Sequence, residues 1–158
     1  KHWKNGGRTR RNGENEPMKR IESKIKHLPY SQESVFAKVS DLSNLEELSR
    51  RLPQDNEAGV SIKNMSCTPD SFDCELQPLG HVSMVVVSRE PFKCVKMETV
   101  KSPVKMTIWV QIVPTGENSC KVRLTLDADV NPFIAKMVEK PLTQGVETLA
   151  DMLTMISY

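Results

Sequence analysis

The sequence predicts an α+β domain in which a curved antiparallel sheet wraps around one long C-terminal helix. Three observations carry this. Residues Asn131 to Ser157 place Phe133, Ile134, Met137, Val138, Leu142, Val146, Leu149, Met152, Leu153 and Ile156 at steps of three and four, the stripe of an amphipathic helix. From Val60 to Val130 the chain runs through six alternating segments separated by Pro-, Gly- and Asn-containing turns about ten residues apart. No other stretch can bury the helical stripe, so the sheet must cover it. The element order is β-α-α-β6-α over residues 18–158.

Taken in order, Lys1 to Pro17 is rich in Gly, Asn and Arg, with Trp3 as its single large apolar residue. It reads as a disordered tail or an upstream extension that is not part of the domain. Arg20 to Leu28 alternates, with Ile21, Ser23, Ile25 and His27 on one face of a strand. Pro29 ends it. Ser31 caps a helix from Gln32 to about Leu42, with Val35, Phe36 and Val39 apolar. Ser43 or Asn44 caps a short second helix that Pro53 stops. Gln54 to Gly59 is a polar loop.

Six strands follow. Val60–Cys67 alternates weakly. Ser71–Leu76 puts Phe72, Cys74 and Leu76 together. His81–Glu90 has Val82, Met84 and Val86 opposite Val85 and Val87. Lys93–Val100 has Val95 and Met97 opposite Lys96 and Glu98. Val104–Pro114 sends Met106, Ile108, Val110 and Ile112 inward, with Thr107, Trp109 and Gln111 outward. Cys120–Val130 sends Val122, Leu124, Leu126 and Ala128 inward, with Asp127 and Asp129 as a solvated outer pair. This is an antiparallel meander with one apolar face.

The final helix opens on Asn131 as cap and Pro132 at the first helical position. At 1.5 Å per residue it extends about 37 Å, enough to cross a sheet. Pro141 cannot donate to the carbonyl of Met137, so a kink or break is expected there. Gly145 thins the apolar stripe one turn later. The pair can serve as a bend that fits the helix to a twisted sheet, or as a gap where a ligand sits.

Composition limits the function. The 158 residues are 38% hydrophobic and 27% charged, as for one globular domain with a core. The first seventeen residues hold five Lys/Arg against two Glu, a net +3, which leaves −1 of the total +2 for the remainder. The basic balance belongs to the tail, so no nucleic-acid partner is expected for the domain. No apolar run is long enough for stable membrane insertion. The opening residues lack the apolar stretch of a signal peptide. The four cysteines, Cys67, Cys74, Cys94 and Cys120, have no metal or Cys-x-x-Cys spacing. They read as reduced thiols in a cytoplasmic protein, with no metal and no cofactor.

Catalysis needs convergent polar groups, and the pattern shows none. His27 shares a face with Ile21 and Ile25 and is expected to point inward. Methionine is the unusual feature: there are eight, against 5% aromatics. Met84, Met97, Met106, Met137 and Met152 fall on inward or stripe positions. Met adapts to irregular apolar shapes and suits a cavity for a lipid-like or polycyclic guest. The candidate lining is Met84, Met97, Met106, Ile108, Leu124, Met137, Pro141, Leu142, Gly145, Val146 and Leu149, with His27.

Three stretches carry a resemblance: Pro29-Tyr30-Ser31-Gln32-Glu33-Ser34-Val35-Phe36, Asp41-Leu42-Ser43-Asn44-Leu45, and Asn131-Pro132-Phe133-Ile134. With the element order and the Pro-interrupted last helix, the chain from Lys19 to Tyr158 resembles the helix-grip fold of the START-like (SRPBCC) superfamily, and its small bacterial members in particular. That group includes polyketide cyclases, lipid-transfer domains, coenzyme-Q-binding proteins and plant pollen allergens. The resemblance implies an apolar ligand enclosed between sheet and helix, and carries no catalytic motif onto these residues. A binding or carrier module for a hydrophobic small molecule is the leading expectation. A cyclase/dehydratase-type enzyme using the same cavity and a co-chaperone-like interaction domain are the alternatives.

The tail generates a first prediction. Residues 1–17 lack apolar area to offset the entropy of ordering them. A chain starting at Met18 should melt at the same temperature as the full chain; a drop of several degrees would mean the tail is docked.

Overall fold

The structure is a computed structural model and describes residues 19–50, 61–77 and 79–156. The predicted tail, the domain start at Met18, the helix stop at Pro53, the Gln54–Gly59 loop and the end of the last helix at Ser157 lie outside the described residues. The elements are β1 (Lys19–Glu22), β2 (Lys26–Leu28), α1 (Gln32–Val39), α2 (Asn44–Ser49), β3 (Ser61–Thr68), β4 (Ser71–Gln77), β5 (Gly80–Glu90), β6 (Cys94–Lys101), β7 (Lys105–Gly116), β8 (Ser119–Asp129) and α3 (Pro132–Thr154). The strands form one antiparallel sheet in the order β1-β8-β7-β6-β5-β4-β3, with β2 also on β8. This is the helix-grip arrangement.

Contacts of α3 show how the sheet curves. The helix packs on β1, β2 and β8 at one side and on β4 at the other. In the sheet β4 lies five strands from β1, so both can reach one helix only if the sheet curls around it. The concave face supplies Met106, Ile108, Val110 and Ile112 from β7 and Val122, Leu124, Leu126 and Ala128 from β8, all buried as the alternation predicts. Val138, Leu142, Val146, Ala150, Met152 and Leu153 of α3 meet them.

Local chemistry sets the helix starts. Ser31 Oγ accepts the Ser34 N–H at 3.1 Å, and Asn131 Oδ1 accepts the Ile134 N–H at 2.9 Å. Before α2 the Asp41 carboxylate takes the cap-like role, accepting the Ser43 N–H at 3.0 Å and its hydroxyl at 2.6 Å. Pro141 lies inside α3, which runs from Pro132 to Thr154 without the expected break.

The first strand departs from its predicted pattern. Pairing of β1 with β8 follows Glu22↔Thr125, whereas β2 follows Lys26↔Val122, so one extra residue sits between them. Ser23 to Ile25 absorb it. Ser23 exchanges two bonds with Leu124, its N–H donating to the Leu124 carbonyl at 2.8 Å and its hydroxyl accepting the Leu124 N–H at 3.0 Å. A one-residue bulge reverses which side chains face the core. Ile21 and Ser23 are therefore buried, Ile25 and His27 are exposed, and Leu28 turns inward. The inward His27 is corrected to a solvent-facing residue.

The outer face of β7 and β8 is also more closed than predicted. Trp109 points away from α3 yet is 2% exposed. The Arg20 guanidinium lies 5.8 Å and the Lys96 ammonium 5.7 Å from its ring centre. Arg20 is held there by a two-pronged pair with Asp127, Nε–Oδ1 2.7 Å and Nη2–Oδ2 2.8 Å. That pairing raises the Arg20 pKa above its ordinary value. Asp127 is thus buried and paired, while Asp129 is exposed, and the solvated aspartate pair is corrected. Beside them Gln111 Oε1 accepts the buried Thr125 hydroxyl at 2.8 Å. The stems of long charged residues have covered a row that the alternation assigned to water.

Ile108→Ala and Leu124→Ala should each cost about 2–5 kcal/mol in urea unfolding. Trp109→Ala, on the opposite face, should cost about 3–5 kcal/mol by the same measure. A cost below about 1 kcal/mol for Trp109→Ala would mean that Arg20 and Lys96 leave the ring open to water in solution.

Candidate functional site

An apolar cavity of about 40 Å³ lies between α3 and the concave face. Its walls are Ile62 and Met65 of β3, Phe72, Cys74 and Leu76 of β4, Val82 and Met84 of β5, Met106 and Ile108 of β7, and Leu126 of β8. Leu142, Gly145, Val146 and Leu149 of α3 form the roof. A second void of about 20 Å³ lies along the same helix, between Val39, Leu42, Leu45, Met97, Val110, Leu124 and Leu153. Phe72 and Leu149 line both, so these two side chains form the partition.

The predicted lining residues fall into four groups. Met84, Met106, Ile108, Leu142, Gly145, Val146 and Leu149 surround the larger cavity. Met97 and Leu124 line the smaller void. Pro141 is buried but touches neither cavity. Met137 and His27 are corrected. Met137 is 70% exposed, because the buried face of α3 follows Val138, Leu142, Gly145 and Leu149, and a residue one position before Val138 lies about 100° away from it. His27 is exposed because of the bulge.

The sequence pattern missed the β3–β4 side of the cavity. Phe72, Cys74 and Leu76 share a face by alternation, and that was the available signal. Which strand would lie under Gly145 depends on the curl of the sheet. In the fold, a Cβ on Gly145 would sit 3.4 Å and 3.5 Å from the two Leu76 methyl carbons. That is ordinary contact, so the glycine is not demanded by the backbone. It leaves room.

The described walls of the cavity are apolar. Cys74 is the one titratable side chain on its described walls. Burial pushes its thiol up to about 12, with the nearby Cys67, Asp73 and Glu75 adding smaller upward contributions. Burial likewise raises Cys67 to about 11, helped by Glu46 and Asp73, and Cys120 to about 11. All three stay protonated near neutrality and are poor nucleophiles there. Among the described residues, no three His, Cys, Asp or Glu side chains gather as metal ligands. No helix among them is long and apolar enough to cross a membrane.

Raised thiol values set a pH dependence. A folded thiol near 12 against an ordinary 9.0 keeps its proton where the unfolded chain has lost it. The thiol contribution to stability is therefore complete below pH 9.0 and is lost as pH rises toward 12. Alkylation at pH 8 should spare Cys74 in the folded protein and modify it rapidly after urea denaturation, read by peptide mass. Fast labelling of folded Cys74 would show the cavity open to water.

Residues 18–154 match the family model described as polyketide cyclase / dehydrase and lipid transport. Comparison with curated protein sequences finds no match. Among solved structures, norcoclaurine synthase from Thalictrum flavum, in complex with dopamine and hydroxybenzaldehyde, superposes with a TM-score of 0.65 at 19% identity, over 89% of this chain and 86% of that one. A START superfamily protein from Mycobacterium smegmatis gives 0.62 at 19% identity, over 85% and 94%. XoxI from Bacillus cereus gives 0.58 at 14% identity, over 86% and 93%. At these identities the likeness is one of fold.

Proposed function

We propose that this chain, which belongs to the polyketide cyclase / dehydrase and lipid transport family, is a binding or carrier module for an apolar small molecule held between the sheet and α3. The observation that carries this reading is the larger cavity, whose described walls present hydrocarbon, thioether and one protonated thiol. Such walls supply contact area and exclude water. They offer no donor–acceptor pair for proton transfer, which a cyclase or dehydratase acting in the same space would need.

At about 40 Å³ the space holds less than one lipid-like guest. Uptake therefore requires the partition to yield. Phe72 and Leu149 separate the two voids, and rotation of both joins them into one space running beneath α3. Four methionines bear on it, Met65, Met84 and Met106 at the larger void and Met97 at the smaller. Their unbranched side chains reshape around a guest at little cost.

Gly145 is the position for the test. Gly145→Ala should retain binding of an apolar naphthalene sulfonate probe, because its methyl meets Leu76 at ordinary contact distance. Gly145→Leu should abolish uptake while lowering stability by about 1–3 kcal/mol through overpacking. If the wild-type protein takes up no probe and Gly145→Leu unfolds it, the space is a packed core and the carrier reading fails.

A further inference from the structure

The first two turns of α3 carry a surface that gripping the sheet does not explain. Phe133 is 82% exposed, Met137 70% and Ile134 39%. At 100° per residue Phe133 and Met137 lie roughly 130–170° from the centre of the buried face, so they point away from the sheet. Lys136 and Lys140 alternate with them on that outer face, and both are exposed. The first half of α3 is therefore amphipathic twice over: one face is core, and the other mixes large apolar side chains with ammonium groups.

The surroundings extend the same chemistry. Lys105 begins β7 opposite Asp129, two residues before the helix cap Asn131, so this end of the sheet adjoins the start of α3. There Val100 is 65% exposed near the end of β6, and Lys101 and Lys105, on either side of the β6–β7 turn, are exposed as well. Among the described residues the acidic ones here are Asp129, across from Lys105, Glu98, two residues before Val100 and 3.7 Å from the Lys96 ammonium, and Glu139, whose carboxylate lies 3.4 Å from the Lys19 ammonium. Lys19 pairs with Ala128 at this same end.

We propose that this end of the domain docks on the surface of an anionic lipid bilayer. Phe133 and Met137 enter the headgroup–acyl boundary, and Lys136 and Lys140 meet lipid phosphates and carboxylates. Two features select a bilayer over a protein partner. The large exposed apolar side chains here are Phe133, Ile134 and Met137 on two helical turns and Val100 at the end of β6, far fewer residues than the about 20–30 a side of a stable protein interface. Interspersed lysines are depleted from the cores of such interfaces, yet they suit a fluid anionic surface that needs no matching shape. The contact is peripheral, since no described helix can span a membrane. It does not depend on what fills the cavity.

Vesicle co-sedimentation tests this, with phosphatidylcholine alone and with phosphatidylcholine containing phosphatidylserine, each at low and high salt. The full chain should bind the phosphatidylserine vesicles and release them at high salt. Phe133→Ser with Met137→Ser should weaken that binding at least about tenfold, as should Lys136→Glu with Lys140→Glu. Both double variants should melt like wild type, because the altered side chains are exposed. The proposal is overturned if the full chain ignores both vesicles or binds them equally. It is also overturned if binding survives both double variants and disappears on removing residues 1–17, which would assign it to the tail. A self-association, read by sedimentation velocity, that Phe133→Ser with Met137→Ser abolishes without changing vesicle binding would assign the patch to a second copy of the chain.

Discussion

Burial of one helical stripe on one concave sheet face is the constraint that the other elements serve. The stripe of α3 needs apolar area on two sides, and a flat sheet offers it on one. Curling brings β4 round to Gly145 while β1, β2 and β8 hold the opposite flank. The hold on that flank is polar as well as apolar. The Lys24 N–H donates to Glu147 at 2.8 Å, and the Lys26 ammonium lies 2.8 Å from Asp151. These bonds run from the bulged strand to the helix. The bulge that turns His27 outward also frees the Lys24 amide from the ladder to make one of them.

The convex face solves a different problem. A broad sheet covered by a helix on one side leaves its other side to water, and Trp109 is too large to leave there without cost. Lys96 covers it from the adjacent β6 and Arg20 from β1, two strands away, and Asp127 on the intervening β8 fixes Arg20 in place. Among the described residues the indole N–H is buried without a hydrogen-bond partner, a cost set beside the gain of covering the ring. The middle of β7 and β8 is thus buried on both faces, by the hydrocarbon under α3 on one and around Trp109, Gln111, Thr125 and Asp127 on the other.

Much of this fold was legible in the sequence because period-two alternation and helical spacing are local signals. Strands from Ser71 onward begin and end within two residues of their expected limits, and the inward rows of β7 and β8 are as alternation places them. The failures occur where a distant residue decides the outcome. Nothing between Arg20 and Leu28 announces that the Ser23 hydroxyl will accept the Leu124 N–H and that the register will shift there. Trp109 and Asp127 look solvated until strands far apart in sequence bring Arg20 and Lys96 over the ring. Met137 satisfies the i, i+4 step from Phe133, but both belong to a row that the buried stripe leaves behind. The candidate cavity was legible in part for the same reason. Periodicity identifies residues that face inward, such as Met84 and Met97, but not which of them border empty space and which are packed.

The paired voids also bear on the volume of the folded state. Space of about 40 Å³ and about 20 Å³ that no atom fills makes the native chain larger than its packing requires. Unfolding lets water into that space, so compression favours the unfolded chain by an amount that scales with the emptiness. A guest of the proposed kind, seated beneath α3, would remove the term without altering a hydrogen bond. The domain would then be softer under hydrostatic pressure without that guest than with it, and resistance to compression would measure its binding.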